Sequence, residues 1–255
     1  MMPRWGNRVL QRLARSKETF VFPKNRLLQY LDESSDPYLE LYKQAARAAN
    51  PGRARNLNNF AQQRRFHVVH QMINRVLDRS VPGDFAECGC RSGHSTYIIA
   101  DALSRKGPRD FWVFDSFEGG LSDKVEQDRD ARGDTSARET RIQKEHFASS
   151  YEHVQSVFAD KPFVRLVRGW IPQTLTGECA DRKFAFAHLD VDLYEPTLGS
   201  LQFFHARMSP GAVIVVDDYG SSTYPGAKTA VDEFLADHEV GFFLENHLLG
   251  CVIVK

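Results

Sequence analysis

The sequence predicts an α/β protein: helices on both faces of a mostly parallel sheet, with a helical extension at the amino end. Three observations predict it. Strand-like and helix-like segments alternate through residues 84–237, glycines frame the turn between the first strand and its helix, and two later apolar runs each end in paired acids. Such alternation builds parallel strands joined by right-handed crossovers. At 255 residues, 42% hydrophobic and 26% charged, the chain suffices for one sizeable core and an appendage. We expect residues 1–80 to form a helical arm and cover, and residues 81–255 the main domain, with a lid insertion at about 118–161.

The first 20 residues carry Arg4, Arg8, Arg12, Arg15 and Lys17 against Glu18, with Trp5, Val9, Leu10 and Leu13 between them. A basic amphipathic helix on a membrane surface fits this pattern. An arm that packs on another subunit or stays solvated fits it too and is the reading preferred, so a homo-oligomer is expected. Residues 36–50 predict a helix stopped by Asn50-Pro51-Gly52. Residues 57–77 predict a longer one, with Phe66, Val69, Ile73, Val76 and Leu77 at helical spacing. Both precede the sheet and can cover its ligand edge. Arg64, Arg65, His67 and His70 are taken as a solvated face rather than a substrate clamp.

Residues 81–96 hold a short strand reaching Glu87, a turn framed by Gly89 and Gly93, and a helix from Ser95 onward through Tyr97, Ile98, Ile99, Ala102 and Leu103. Glycine lets the backbone approach a ligand closely, and a helix amino terminus offers free N–H groups. The third glycine of the dinucleotide fingerprint is missing. Residues 111–115 form a second buried strand ending in Asp115, 22 residues after Gly93. An acid there is placed to hydrogen-bond the hydroxyls of a ribose; capping a turn is its plainer use. Residues 118–161 are polar, with a helix expected around 137–158, and long insertions at a ligand edge tend to be lids. Residues 163–169 make a third strand, and Trp170 after it is either an adenine neighbour or core.

Residues 184–189 and 212–216 are the two apolar runs that end in acids: Asp190 and Asp192 after the first, Asp217 and Asp218 after the second. On an extended chain the first pair points to one side, roughly 6–7 Å apart. If the two strands are neighbours, four carboxylates gather at the carboxyl edge, where open α/β sheets bind ligands. Helix capping would explain either pair alone; two pairs favour a hard divalent cation such as Mg²⁺. His188 lies on the same side of its strand as Asp190 and is the alternative to Asp192 as a base, although a buried strand histidine is more often a satisfied core group. Pro196 opens a helix through Leu198, Leu201 and Phe204, ended by Ser209-Pro210-Gly211. Ala227, Ala230, Val231, Phe234 and Leu235 mark another, and residues 241–245 and 251–255 predict a closing antiparallel pair.

Composition narrows the function. With 33 basic and 33 acidic residues the net charge is zero, so no nucleic-acid partner is expected. Cys88, Cys90, Cys179 and Cys251 follow no zinc spacing and suit reduced core positions. No apolar run is long enough for a membrane span and the amino end lacks the apolar core of a secretory signal, so a cytoplasmic enzyme of small molecules is expected.

Five phrases together carry a resemblance: Pro-Gly-Asp-Phe-Ala-Glu-Cys-Gly (82–89), Phe-Asp-Ser-Phe-Glu-Gly (114–119), Arg-Gly-Trp (168–170), Leu-Asp-Val-Asp-Leu-Tyr-Glu-Pro-Thr (189–197), and Val-Asp-Asp-Tyr followed by Pro-Gly-Ala-Lys (225–228). In this order the set resembles the macrocin O-methyltransferase family of S-adenosylmethionine- and Mg²⁺-dependent sugar O-methyltransferases. The resemblance implies a class I, Rossmann-like methyltransferase core with a seven-stranded sheet. It implies Glu87, Gly89 and Asp115 at the S-adenosylmethionine; Gly93, Ser95, Ser116 and Trp170 complete the expected cofactor set. It implies Mg²⁺ on Asp190, Asp217 and Asp218, Asp192 as general base, and a small-molecule sugar or vicinal diol as acceptor, with Asp190 and Asp192 free to exchange roles. A nucleotide-dependent oxidoreductase is disfavoured by the missing glycine. A catalytically silent S-adenosylmethionine-binding module is disfavoured by the four intact acids.

Overall fold

In the computed structural model, residues 37–51, 59–129, 147–246 and 250–255 are described. The basic arm of residues 1–20 and the first part of the expected lid helix, residues 137–146, lie outside them. In chain order the elements are α1 (Pro37–Ala49), α2 (Phe60–Asp78), β1 (Asp84–Cys88), α3 (His94–Lys106), β2 (Phe111–Asp115), α4 (Tyr151–Val157), β3 (Val164–Arg168), β4 (Phe184–Leu189), α5 (Tyr194–His205), β5 (Met208–Val216), α6 (Pro225–Asp237), β6 (Phe242–Asn246) and β7 (Gly250–Val254). Residues Leu41–Lys255 form one compact unit; of the other, Met1–Glu40, only the last four residues are described.

The strands lie in the order β3-β2-β1-β4-β5-β7-β6. β1, β2, β3, β4 and β5 pair in parallel, and β7 runs antiparallel to both β5 and β6. This is the mostly parallel seven-stranded sheet that was expected. β4 is buried along its whole length and β2 everywhere but its last residue. Strands covered by helices on both faces are nearly continuously apolar; Phe-Trp-Val-Phe satisfies that fully, and Phe-Ala-Phe-Ala-His-Leu all but at His188. From β1 the chain moves outward to β2 and β3, then returns to lay β4 on β1's other side. The crevice between the carboxyl ends of β1 and β4 is thus the topological switch point.

Helix α2 begins where Asn59 caps it, its side chain accepting from the Gln62 N–H at 3.2 Å. Its apolar positions Val69, Ile73 and Val76 are fully buried, and the helix packs on α3 and on β4 and β5. Ser209-Pro210-Gly211, expected as a helix stop, lies inside β5; α5 has already ended at His205. The register jumps from Phe184↔Met208 to Phe186↔Val213, so the tripeptide is absorbed as a bulge with Gly211 at φ 80°. Proline is tolerated near a strand start or at a bulge, which is why a turn-like sequence continues as a strand.

Candidate active site

The half expected to face the cofactor is built from the turn between β1 and α3. Gly89 (φ 85°) and Gly93 (φ 87°) are both left-handed, and Gly93 is the N-cap of α3. A Cβ on Gly89 would lie 1.9 Å from the Asp190 carbonyl oxygen, so only glycine lets β1 end against the start of the acid cluster. Asp115, at the end of β2, holds this turn: Oδ2 accepts from Cys90 N–H at 2.9 Å and Arg91 N–H at 2.8 Å, and Oδ1 from Phe117 N–H at 2.9 Å. Burial raises its pKa, against the pull of those backbone N–H groups. A carboxylate offers about four acceptor positions, so room is left for another donor. Ser116, next to Asp115 in the chain, accepts the Glu118 N–H on its Oγ at 3.3 Å; Trp170 Nε1–H donates to Glu118 Oε2 at 3.2 Å, and the preceding Gly169 N–H donates to Asp115 O at 2.9 Å. Ser95 is buried in the first turn of α3.

The acid half stands at the ends of β4 and β5, which are neighbours as expected. The Asp217 N–H donates to Leu189 O at 2.8 Å, which brings Asp217 alongside Asp190. Two overlapping groups have one ligand atom of each member within 4.8 Å of the others: Asp190, Asp192 and Asp218, and His188, Asp190 and Asp217. Asp190 belongs to both. Asp192 and Asp218 each have φ 61°, a left-handed backbone that aspartate tolerates better than most side chains. Burial, then Asp218 and Asp190 beside it, pushes Asp192 well above the usual carboxylate range. Burial raises Asp217 to about 8 against the pull of Arg65, and burial with Asp190 raises Asp218 to about 6. Such crowded acids are the donor set a hard divalent cation fits, and Asp217 Oδ2 is buried without a hydrogen bond.

Glu87 joins the two halves. It is fully buried, accepts from Thr96 Oγ1–H at 2.5 Å, and lies 2.9 Å from His188 Nδ1. Burial lowers the His188 pKa, but the hydrogen bond and charge of Glu87, with Asp217 and Asp190, outweigh it and raise the value to about 9.

One reading needs correction. Arg65, assigned to a solvated face, reaches the acids from α2: its Nη1 lies 3.1 Å from Asp217 Oδ2 and 3.7 Å from Asp218 Oδ1. The charge of Asp217, helped by Asp190, Asp218 and Asp192, holds its own charge on against the opposing effect of burial. The signal was available in principle, because a four-acid cluster under a helix calls for a cation. Asp128 was also missed. This buried residue accepts the Tyr194 N–H at 2.7 Å and so caps α5, whose own N-cap Leu193 offers no side-chain acceptor. Gly226 leaves it room, since a Cβ there would lie 1.8 Å from Asp128 Oδ1.

A glycine-framed turn on a sheet switch point, an acid ending β2, and the strand order with β7 as its one antiparallel strand define the class I methyltransferase fold. The macrocin O-methyltransferase (TylF) family model matches residues 15–249, and the chain belongs to that family. It is 30% identical over 185 residues to a demethyldecarbamoylnovobiocin O-methyltransferase of Streptomyces niveus, covering 69% of this chain and 67% of that protein. It is 32% identical over 161 residues to 8-demethyl-8-(2,3-dimethoxy-alpha-L-rhamnosyl)-tetracenomycin-C 4'-O-methyltransferase of Streptomyces olivaceus, covering 61% and 60%. The solved O-methyltransferase NovP superposes with a TM-score of 0.63 at 26% identity, over 85% of this chain and 88% of NovP. The protein is an S-adenosylmethionine-dependent O-methyltransferase. Among the described residues no helix is long and apolar enough to cross a membrane.

Proposed function

We propose that this enzyme methylates a hydroxyl of a sugar or related vicinal diol, in natural-product or polysaccharide biosynthesis, with Mg²⁺ held by Asp190, Asp217 and Asp218. The observation that carries the reading is the convergence beside the glycine turn at the switch point of two overlapping groups that share Asp190, one with Asp217 and the other with Asp192 and Asp218. The related proteins that act on a rhamnosyl group and on a novobiocin precursor support a sugar-bearing acceptor.

S-Adenosylmethionine supplies an electrophilic methyl carbon, and Mg²⁺ supplies a Lewis acid that lowers the pKa of oxygens bound to it. The chain's residues do the rest. Asp115 accepts a ribose hydroxyl, while Gly89, Gly93 and Ser95 let the backbone and the α3 amino terminus face the cofactor. Ser116 and Trp170 border the adenosine. Glu87 acts from below, holding the turn through Thr96. Asp192, whose carboxyl would be ionised once a cation offsets Asp218 and Asp190 beside it, takes the acceptor's proton as the methyl is transferred; positioned proton transfer of this kind contributes about 10²–10⁴ in rate. His188 is the alternative base. Residues 118–161 act as the lid and residues 1–80 as arm and cover, in a cytoplasmic homo-oligomer.

Calorimetric titration of S-adenosylhomocysteine, with and without Mg²⁺ and beside Asp115→Ala, tests the cofactor assignment. Binding lost in the variant supports it, and the wild-type enzyme then goes to a panel of vicinal-diol sugars with radiolabelled methyl donor. Label transferred only to acceptors with neighbouring hydroxyls, and only with Mg²⁺, is expected; transfer that ignores Mg²⁺ overturns the metal assignment.

A further inference from the structure

The two ring nitrogens of His188 have different surroundings. Nδ1 is 2.9 Å from Glu87 Oε1, and both side chains are fully buried. Nε2 is buried with no hydrogen-bond partner. His188 also belongs to one of the two convergent groups, with a ligand atom within 4.8 Å of those of Asp190 and Asp217. Nδ1 being engaged by Glu87, Nε2 is the nitrogen left for a further partner.

We propose that His188 Nε2 is a metal ligand, so that His188, Asp190 and Asp217 form a mixed nitrogen–oxygen site for a first-row transition cation such as Mn²⁺ or Co²⁺ as well as Mg²⁺. This rests on the reading that the acids hold a divalent cation and assigns that site a further ligand. A metal-bound histidine commonly donates its other N–H to a carboxylate, which fixes the tautomer and the ring orientation. Glu87 is such a carboxylate, itself fixed by Thr96 Oγ1 at 2.5 Å. The backbone holds the parts in register: Glu87 pairs with His188 across β1 and β4, and His188 with Val215 across β4 and β5, two residues before Asp217. Ligation uses the neutral imidazole, so the Nε2 proton leaves as the cation enters. Carboxylates suit Mg²⁺ and Mn²⁺ alike, whereas an imidazole tips a site toward transition cations.

The test loads the full chain with Mn²⁺ and records electron spin-echo modulation from ¹⁴N. Expected are histidine-type ¹⁴N modulations in the wild type, absent in His188→Asn, and Mn²⁺ affinity lowered about 10–100-fold in Glu87→Gln, the range for loss of a carboxylate behind a ligating histidine. Bound Mn²⁺ without ¹⁴N modulation in the wild type overturns the proposal and leaves an all-carboxylate site standing. Modulation that persists in His188→Asn overturns it too, by assigning the nitrogen elsewhere. No Mn²⁺ binding overturns both this proposal and the metal reading beneath it. The wild-type spectrum decides even if a variant fails to fold. Methyl transfer, assayed separately with Mg²⁺, reports on the proposed function independently of the ligand count.

Discussion

Arg65 Nη1 sits 3.1 Å from Asp217 Oδ2, so a helix that precedes the sheet supplies a positive charge to acids at the end of its fifth strand. The approach is not aligned as a hydrogen bond, since Asp217 Oδ2 and Arg65 Nε both lack one. The pair therefore acts as charge neutralisation. Arg65 and a bound cation would do the same electrostatic work on Asp217.

This yields a prediction about Arg65→Met. Removing one partner of a buried ion pair leaves an uncompensated charge and costs about 3–5 kcal/mol. Asp217 can take up a proton instead, so a loss nearer 3 kcal/mol is expected in metal-free protein. Mg²⁺ should recover much of it. Thermal unfolding with and without Mg²⁺ checks this: the shift on adding metal should be larger in the variant than in the wild type, and equal shifts would separate Arg65 from the cation site.

Asp192→Asn should reduce turnover by about 10²–10⁴ if Asp192 takes the proton. Asparagine keeps the shape and tolerates φ 61°, so the fold should survive. S-Adenosylhomocysteine affinity should stay within a factor of about three of wild type. Single-turnover kinetics beside calorimetry separate the two quantities; full turnover in Asp192→Asn would exclude Asp192 as the base.

The sheet was legible because its signals are local and agree with one another. The run 184–189 is apolar but for His188, which fits a strand covered on both faces, and the paired acids mark where it stops. Ser209-Pro210-Gly211 misled because a bulge and a turn use the same residues, and only the neighbouring strand decides between them. Asp190, Asp192, Asp217 and Asp218 were legible as a group once β4 and β5 were taken as neighbours. Arg65 and Asp128 were not, since each acts across long sequence separation: Arg65 on Asp217, Asp128 on the Tyr194 N–H. One charged residue on an amphipathic helix or in a polar connection looks like any other until the partner is known.

Gly89→Ala tests the contact between the two halves of the site. Its φ of 85° and a Cβ 1.9 Å from Asp190 O combine a left-handed backbone with a backbone clash. The conformation alone costs about 1–2 kcal/mol, and the clash must move β4 or the turn. S-Adenosylhomocysteine and Mg²⁺ binding should fall together. Urea unfolding and parallel titrations check this; loss of cofactor binding with metal affinity intact would show that the two halves are mechanically separate.

His94 provides a pH signature. Its ring packs 4.5 Å from Tyr42 and 4.9 Å from Phe66, centroid to centroid, and Nε2 lies 3.1 Å from Tyr42 O. Burial lowers its pKa from 6.5 to about 4, only partly offset by that carbonyl. The unfolded chain therefore takes up a proton near pH 6.5 that the folded protein refuses until about pH 4. Stability linked to this group is fully present above pH 6.5 and is lost as pH falls through that window, by about 3 kcal/mol in all. The acids of the cluster, raised in the folded state, act in the opposite sense, so total stability does not isolate the effect. The difference between wild type and His94→Gln does, because glutamine does not titrate. Urea unfolding from pH 7.5 to 4 should show wild type losing stability relative to the variant below pH 6.5. A constant difference would mean that His94 accepts its proton in the folded state, and that the contact with Tyr42 and Phe66 is looser than its geometry implies.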